Sequence, residues 1–121
     1  MKVIDASALA AVAFDEPEAE QVLAETDGED LHAPHLLRFE LTNIAWKKIR
    51  QRPDAADRIV EHLRDALALP VALVDVDHQA VLQLAVRHKM TAYDASYLWL
   101  ARQMEATLVT LDRGLRRHAT R

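Results

Sequence analysis

Met1-Lys2-Val3-Ile4-Asp5-Ala6-Ser7-Ala8-Leu9 decides the fold, because a short apolar run stops there at an acid and gives way to alanine-rich sequence. Residues 1–5 read as a short buried strand, and residues 6–13 as the short helix that follows it. Open α/β sheets bind their ligands outside the carboxyl ends of the strands, so Asp5 stands where chemistry is expected. The rest of the chain tells whether other reactive groups meet it there.

Downstream, Glu16-Pro17-Glu18 opens a second helix, with Pro near its first position and acids in its first turn, ending near Asp27-Gly28. Leu31-His32-Ala33 predicts a second strand. Pro34 introduces an amphipathic helix over 35–50, with Leu37, Leu41, Ile44 and Ala45 on its apolar face. Arg52-Pro53-Asp54 breaks it, and Ile59, Leu63, Ala66 and Leu67 then make a helix to about residue 69. Pro70 stops that helix before a third strand at 71–74, and Asp77 caps a helix running to about His88. Thr91-Ala92-Tyr93-Asp94-Ala95-Ser96-Tyr97 begins a helix that reaches about Met104. A last strand at 107–110 then leads through Leu111-Asp112-Arg113 into a short basic helix. Strands separated by helical patterns require crossover connections. The expected fold is therefore α/β: one three-layer domain over 1–121, with a mainly parallel sheet of four to five strands flanked by helices.

A chain of 121 residues buries about two thirds of its unfolded surface in one core. The absence of cysteine excludes disulfides, a thiol nucleophile and a thiolate zinc site. With no basic leader ahead of an apolar run and no apolar stretch of about 18 residues, neither a signal peptide nor a membrane span is expected, and the reading is a cytoplasmic protein. His32 and His35, interrupted by Pro34, make a poor zinc pair.

Fifteen Lys and Arg against nineteen Asp and Glu leave a formal charge of −4, which excludes holding nucleic acid by bulk charge. The basic residues nevertheless cluster, at Lys47, Lys48, Arg50 and Arg52 and again at Arg113, Arg116, Arg117, His118 and Arg121. A helix C-terminus explains such clusters through its dipole, and an RNA backbone explains them equally well.

Four acids stand apart from those that caps and solvent explain: Asp5 after the first strand, Glu40 among Leu36, Leu37 and Ile44, Asp94 in the first turn of a helix, and Asp112 just beyond the last strand. Taken singly, Asp5 and Asp112 read as helix caps, Asp94 as the partner of Thr91 in a capping box, and Glu40 as a carboxylate on a helix flank. Taken together, two of them share one end of a parallel sheet. Four carboxylates gathered in one pocket raise one another's pKa and call for a hard divalent cation, which oxygen ligands suit. With these four set aside, 19 − 4 = 15 acids balance 15 Lys and Arg, so the remaining surface does not repel a polyanion.

The chain resembles the PIN domain family, in particular the VapC-type ribonuclease toxins of type II toxin–antitoxin systems. The resemblance rests on Val3-Ile4-Asp5-Ala6-Ser7, on Pro34 followed by Glu40-Leu41-Thr42-Asn43, on Thr91-Ala92-Tyr93-Asp94-Ala95-Ser96-Tyr97, and on Val109-Thr110-Leu111-Asp112-Arg113, in order across essentially the whole chain. It implies an endoribonuclease acting on single-stranded RNA, dependent on one or two Mg²⁺ or Mn²⁺ ions, and leaving 5′-phosphate and 3′-hydroxyl ends. The ligands it implies are Asp5, Asp94 and Asp112, with Glu40 joining directly or through water. Ser7 and Thr110 become supporting hydroxyls, and Asn43 a group able to orient water or RNA. Arg113, Arg116, Arg117, Lys47 and Lys48 are the candidates to hold the RNA backbone. The implied partners are a VapB-like antitoxin lying across the acidic pocket and a second copy of the chain. Phe14, Leu36, Phe39, Trp46 and Trp99 are available to such interfaces, although core packing is expected for most of them.

Two other classes compete. A phospho-acceptor receiver domain also carries acids at strand ends, but it expects an acid pair beside the first strand and a Lys after the last. Here Asp5 stands alone, Asp75 and Asp77 are out of place, and Arg113 follows Asp112. A catalytically silent PIN-fold RNA-binding module is the second, and the intact set of four acids argues against it.

Overall fold

The computed structural model describes residues 1–119, so Arg121 of the C-terminal basic cluster lies outside the described residues. Strand β1 (Lys2–Ile4) leads into helix α1 (Ala6–Ala13), and α2 (Ala19–Thr26) precedes strand β2 (Leu31–Pro34). Helix α3 (Leu36–Gln51) is followed by a single 3-10 turn at Pro53–Ala55 and by α4 (Ala56–Leu67). Strand β3 (Val71–Val74), helices α5 (His78–His88) and α6 (Ala92–Gln103), strand β4 (Thr107–Val109) and helix α7 (Arg113–Ala119) complete the order.

Four strands form one parallel sheet in the order β3-β2-β1-β4. Register places Val3 opposite His32 on one side and Leu108 on the other, while Pro34 pairs with Val74 at the far edge. The chain lays down β1, β2 and β3 in one direction and then returns to the other side of β1 with β4. The strand order therefore reverses between β1 and β4, and a doubly wound sheet opens its ligand crevice at that point.

Helix α1 explains its own position. Ala6, Ala8, Leu9, Ala10 and Ala11 are all buried, so the helix is apolar nearly all round and belongs inside. It contacts α2, α3 and α4, whereas α6 contacts α5, α7 and strands β1, β2 and β4, giving helical groups on either side of the sheet. The core joins Val3 and Ile4 of β1 to Leu37 and Leu41 of α3, Leu98 and Leu100 of α6, and Val109 of β4. No helix among the described residues is long and apolar enough to cross a membrane.

Two expectations change. Pro17 does not open α2: the helix begins at Ala19, and Glu16-Pro17-Glu18 forms part of the turn that reverses the chain after α1. That turn is closed by the Glu16 amide on the Ala11 carbonyl at 2.8 Å, with Asp15 at φ 52°, so the proline serves the reversal rather than the helix start. The five large apolar residues also divide. Phe14, Leu36 and Trp99 pack against the core, whereas Phe39 and Trp46 on α3 face outward.

Candidate active site

Asp5 closes β1 and caps α1 in one stroke. Its amide donates to the Val109 carbonyl at 3.1 Å, continuing the β1–β4 ladder, while its Oδ1 accepts from the Ala8 amide at 3.0 Å. Oδ1 also accepts from the Ser7 hydroxyl at 2.7 Å, and Oδ2 from the Thr110 hydroxyl. The two hydroxyls reach across the crevice: Ser7 Oγ accepts from the Leu111 amide and Thr110 Oγ1 from the Asp112 amide, each at 3.0 Å. A buried carboxylate needs donors of this kind. Burial nevertheless dominates and pushes the Asp5 pKa up; the bonds from Thr110, Ala8 and Ser7 oppose it, and the charge of Asp112 adds to it.

Asp112 caps α7 through the Leu115 amide at 2.9 Å and lies exposed on the crevice wall. A Cβ at Gly114 would come within 3.2 Å of its Oδ1, so glycine leaves that carboxylate room. Asp94 uses its backbone for capping, its amide donating to the Thr91 hydroxyl at 3.1 Å. Among the described residues no hydrogen bond reaches its carboxylate. Burial first, then Asp112 and Asp5, push its pKa up. Glu40 projects from α3, and its Oε1 accepts from the hydroxyl of Tyr97, a side chain only 1 % exposed. Burial raises the Glu40 pKa, the Tyr97 bond partly offsets this, and Asp5 and Asp94 raise it further. The Tyr97 phenol is itself pushed well above its ordinary range by burial and by Glu40.

Asp5, Ser7, Glu40, Asn43, Lys47, Asp94 and Asp112 all line one open cavity of about 610 Å³ at the carboxyl ends of β1 and β4. Thr110, 1 % exposed, lies behind Asp5. The other basic candidates are placed elsewhere. Lys48 pairs with Glu16 at 3.0 Å over the Phe14 ring, and the Arg116 guanidinium donates to the Thr110 carbonyl at 2.5 Å. Neither these two nor Arg113 and Arg117 are among the residues lining the cavity. Tyr97 was not singled out from the sequence, although its place three residues after Asp94 puts both on one helix face.

The cavity offers oxygen donors and no thiol or imidazole, and Lys47 is the one Lys or Arg among its described lining residues. Charges that raise one another's pKa mark a site short of positive charge, which suits a hard cation. The side chains do not yet enclose one: among the described residues no three Asp, Glu or His stand in a metal-holding arrangement. Glu40 is drawn to Tyr97, and Asp5 is engaged at both oxygens.

A model of the PIN domain matches residues 2–120. The chain belongs to the PIN domain family. Among its relatives, Ribonuclease VapC3 of Pyrobaculum aerophilum is 36 % identical over 118 residues, covering 93 % of this chain and 90 % of the relative. The crystal structure of PAE2754 from the same organism superposes with a TM-score of 0.79 at 31 % identity, covering 98 % of this PIN domain and 86 % of that chain. The Mycobacterium tuberculosis toxin VapC20, described as cleaving the sarcin–ricin loop, shares the fold with a TM-score of 0.69 at 14 % identity over 95 % and 92 % of the two chains. Family membership removes the receiver-domain alternative.

Proposed function

We propose that this PIN domain is an endoribonuclease that cuts single-stranded RNA with the help of Mg²⁺ or Mn²⁺, one or two ions, and that it acts in the cytoplasm as the toxin of a VapBC-type pair. The observation that carries the reading is the convergence of Asp5, Glu40, Asp94 and Asp112 on one cavity, three of them with raised pKa values. The ribonuclease name of the relative from P. aerophilum supports the substrate class.

Asp5, Asp94 and Asp112 are the residues that would hold the ion, with Glu40 beside them. Bound there, the ion supplies charge neutralisation and an activated water for phosphodiester hydrolysis. The chain supplies the rest. Ser7, Thr110 and the Ala8 amide hold Asp5 in a single orientation, and Tyr97 holds one oxygen of Glu40. Asn43 and Lys47 stand on α3 beside Glu40, where the amide can orient RNA or water and the ammonium can meet a phosphate. Arg113, Arg116, Arg117 and Lys48, outside the cavity, extend the contact to backbone further along the strand. A VapB-like antitoxin covering the carboxylates, and a second copy of the chain completing a homodimer, are part of the same proposal.

The test uses a circular single-stranded RNA, which only an endonuclease opens. Purified protein freed of antitoxin cuts it when Mg²⁺ or Mn²⁺ is added, leaves 5′-phosphate and 3′-hydroxyl ends, and stops in excess chelator. Asp5→Asn keeps the fold and loses the cutting. Cleavage that persists in chelator, or yields a 2′,3′-cyclic phosphate, sinks the metal-dependent mechanism. RNA binding without any cutting returns the protein to the silent binding module, and cutting confined to linear RNA makes it an exonuclease.

A further inference from the structure

A second cavity, about 260 Å³, lies beside the acid cavity at the carboxyl ends of β2 and β3. Pro34 and Val74, the last residues of those strands, form part of it, with Val81 and Leu82 of α5 opposite. Leu36 and Tyr93 line both cavities, so the two are neighbours that share a wall. A strand crossing the carboxyl edge of the sheet from β4 toward β3 meets the carboxylates first and this slot next.

The chemistry of the slot differs from that of its neighbour. Its walls are apolar, and its polar groups are few: His35, whose Nε2 is 2.9 Å from Asp75 Oδ1, together with His78 and the buried Ser96. Asp75 is the one carboxylate among the described lining residues, and with its side chain 96 % exposed its charge stays in solvent, so the apolar interior of the slot suits a neutral ligand. Its volume is below the roughly 300–1,000 Å³ of clefts that hold whole ligands, and it fits a single ring system. An apolar slot edged by a few donors and acceptors matches a nucleobase, which has apolar faces and a polar rim.

The aromatic residues point the same way. Of the two Phe, two Trp and two Tyr in the chain, three line the acid cavity: the buried Tyr97, and Phe39 and Tyr93, which are 76 % and 62 % exposed. Tyr93 immediately precedes Asp94 in the first turn of α6, and as a residue of both linings it stands between the two cavities. An exposed aromatic next to a phosphodiester site is a stacking platform for an unstacked base.

We infer that this slot takes one nucleobase of the bound RNA, the neighbour of the scissile phosphate, with Tyr93 as its stacking wall, so that the enzyme selects a base at one fixed position beside the cut. The inference rests on the ribonuclease reading for its ligand. A base must leave its helix to enter the slot, which would also account for a single-stranded substrate.

The probes are the four ribonucleosides and a randomised single-stranded RNA; the variant is Leu82→Trp, which covers the slot from a side chain outside the acid cavity. Each nucleoside is titrated into metal-free protein followed by amide NMR, and the RNA is cut with Mg²⁺ and its new 5′ ends sequenced. One nucleoside is expected to shift the amides of Val76, Leu82 and Tyr93, and Leu82→Trp to weaken that response by roughly tenfold. Stacking on Tyr93 tolerates any base, so the choice falls to the polar rim of the slot: a base that leaves one buried donor or acceptor unpaired is disfavoured by roughly 5- to 150-fold, and the wild type should prefer one base at one position by at least about fivefold. Leu82→Trp should bring that preference below about twofold while cutting continues. Where RNA is cut, an unchanged preference in Leu82→Trp overturns the slot and leaves the ribonuclease standing. Where no RNA is cut, the ribonuclease reading falls and the titration decides: nucleoside shifts confined to the slot keep it, and unmoved slot amides overturn it. Slot amides that respond to protein concentration and not to nucleoside overturn it too, in favour of a second copy.

Discussion

Replacing Tyr97 by phenylalanine takes one hydroxyl from the wall of the carboxylate cavity and leaves the ring in place. The hydroxyl belongs to a side chain 1 % exposed and donates to Glu40 Oε1 at 2.6 Å. A hydrogen bond to a charged group is worth about 1.5–3 kcal/mol, and water reaching the half-buried Glu40 recovers part of it, so the expected loss is about 1–2 kcal/mol at pH 7. For a chain of this length the melting temperature falls by about 3–8 °C. The loss must also depend on pH. Burial, Asp5 and Asp94 hold the Glu40 pKa above its ordinary 4.5 and the Tyr97 bond opposes them, so Tyr97→Phe raises it further. A carboxyl whose folded pKa exceeds its unfolded value destabilises the fold above the folded pKa, and that penalty fades as pH falls to the unfolded value. The cost of Tyr97→Phe is therefore largest near pH 7 and shrinks toward pH 4.5. Urea unfolding of metal-free protein at both pH values measures the cost, and ¹³C NMR of the Glu40 carboxyl follows its titration. A cost that is the same at both pH values, or a Glu40 that titrates at an unchanged or lower pH, refutes the reasoning.

Asp94→Asn removes a charge that burial, Asp112 and Asp5 disfavour and that no hydrogen bond supports among the described residues; metal-free protein should melt at a higher temperature while RNA cutting is lost. A lower melting temperature in calorimetry would show that the carboxylate stabilises the fold after all. Thr110→Val keeps the shape of a buried residue but strips Asp5 of a donor and the Asp112 amide of its acceptor, and should cost about 2–4 kcal/mol in denaturant unfolding. Lys47→Ala, on an exposed cavity residue, should leave stability unchanged and reduce the slope of log K against log salt for RNA binding by about one. Arg116→Ala should instead cost about 1 kcal/mol of stability through the lost bond to the Thr110 carbonyl, and urea midpoints distinguish the two.

The fold was legible because its signals are local. A parallel strand buried on both faces reads as an apolar run, as Val3-Ile4 and Leu108-Val109 do, and the breaks at Arg52-Pro53-Asp54 and Pro70 stand between helical patterns. Pro17 misled because the same fixed φ suits a helix start and a turn, and the choice depended on the reversal after α1. The outward face of α3 was equally out of reach. Phe39 and Trp46 fit a core by type, and only the placement of the neighbouring elements leaves them in solvent.

By itself, the sequence determined the α/β alternation, the four acids and their places on elements, and the caps at Asp5, Asp77 and Asp112, because hydrophobic period and capping chemistry act within a few residues. Tertiary structure decided what those groups do to one another. The return of β4 to the side of β1 brings Thr110 and Asp112 against Asp5 across 105 and 107 positions, and the packing of α6 near α3 lets Tyr97 reach Glu40 across 57. It also separated the basic residues, holding Lys47 at the cavity while tying Lys48 to Glu16 and Arg116 to the end of β4. Charge coupling and burial depend on distance in space, and the sheet order sets those distances.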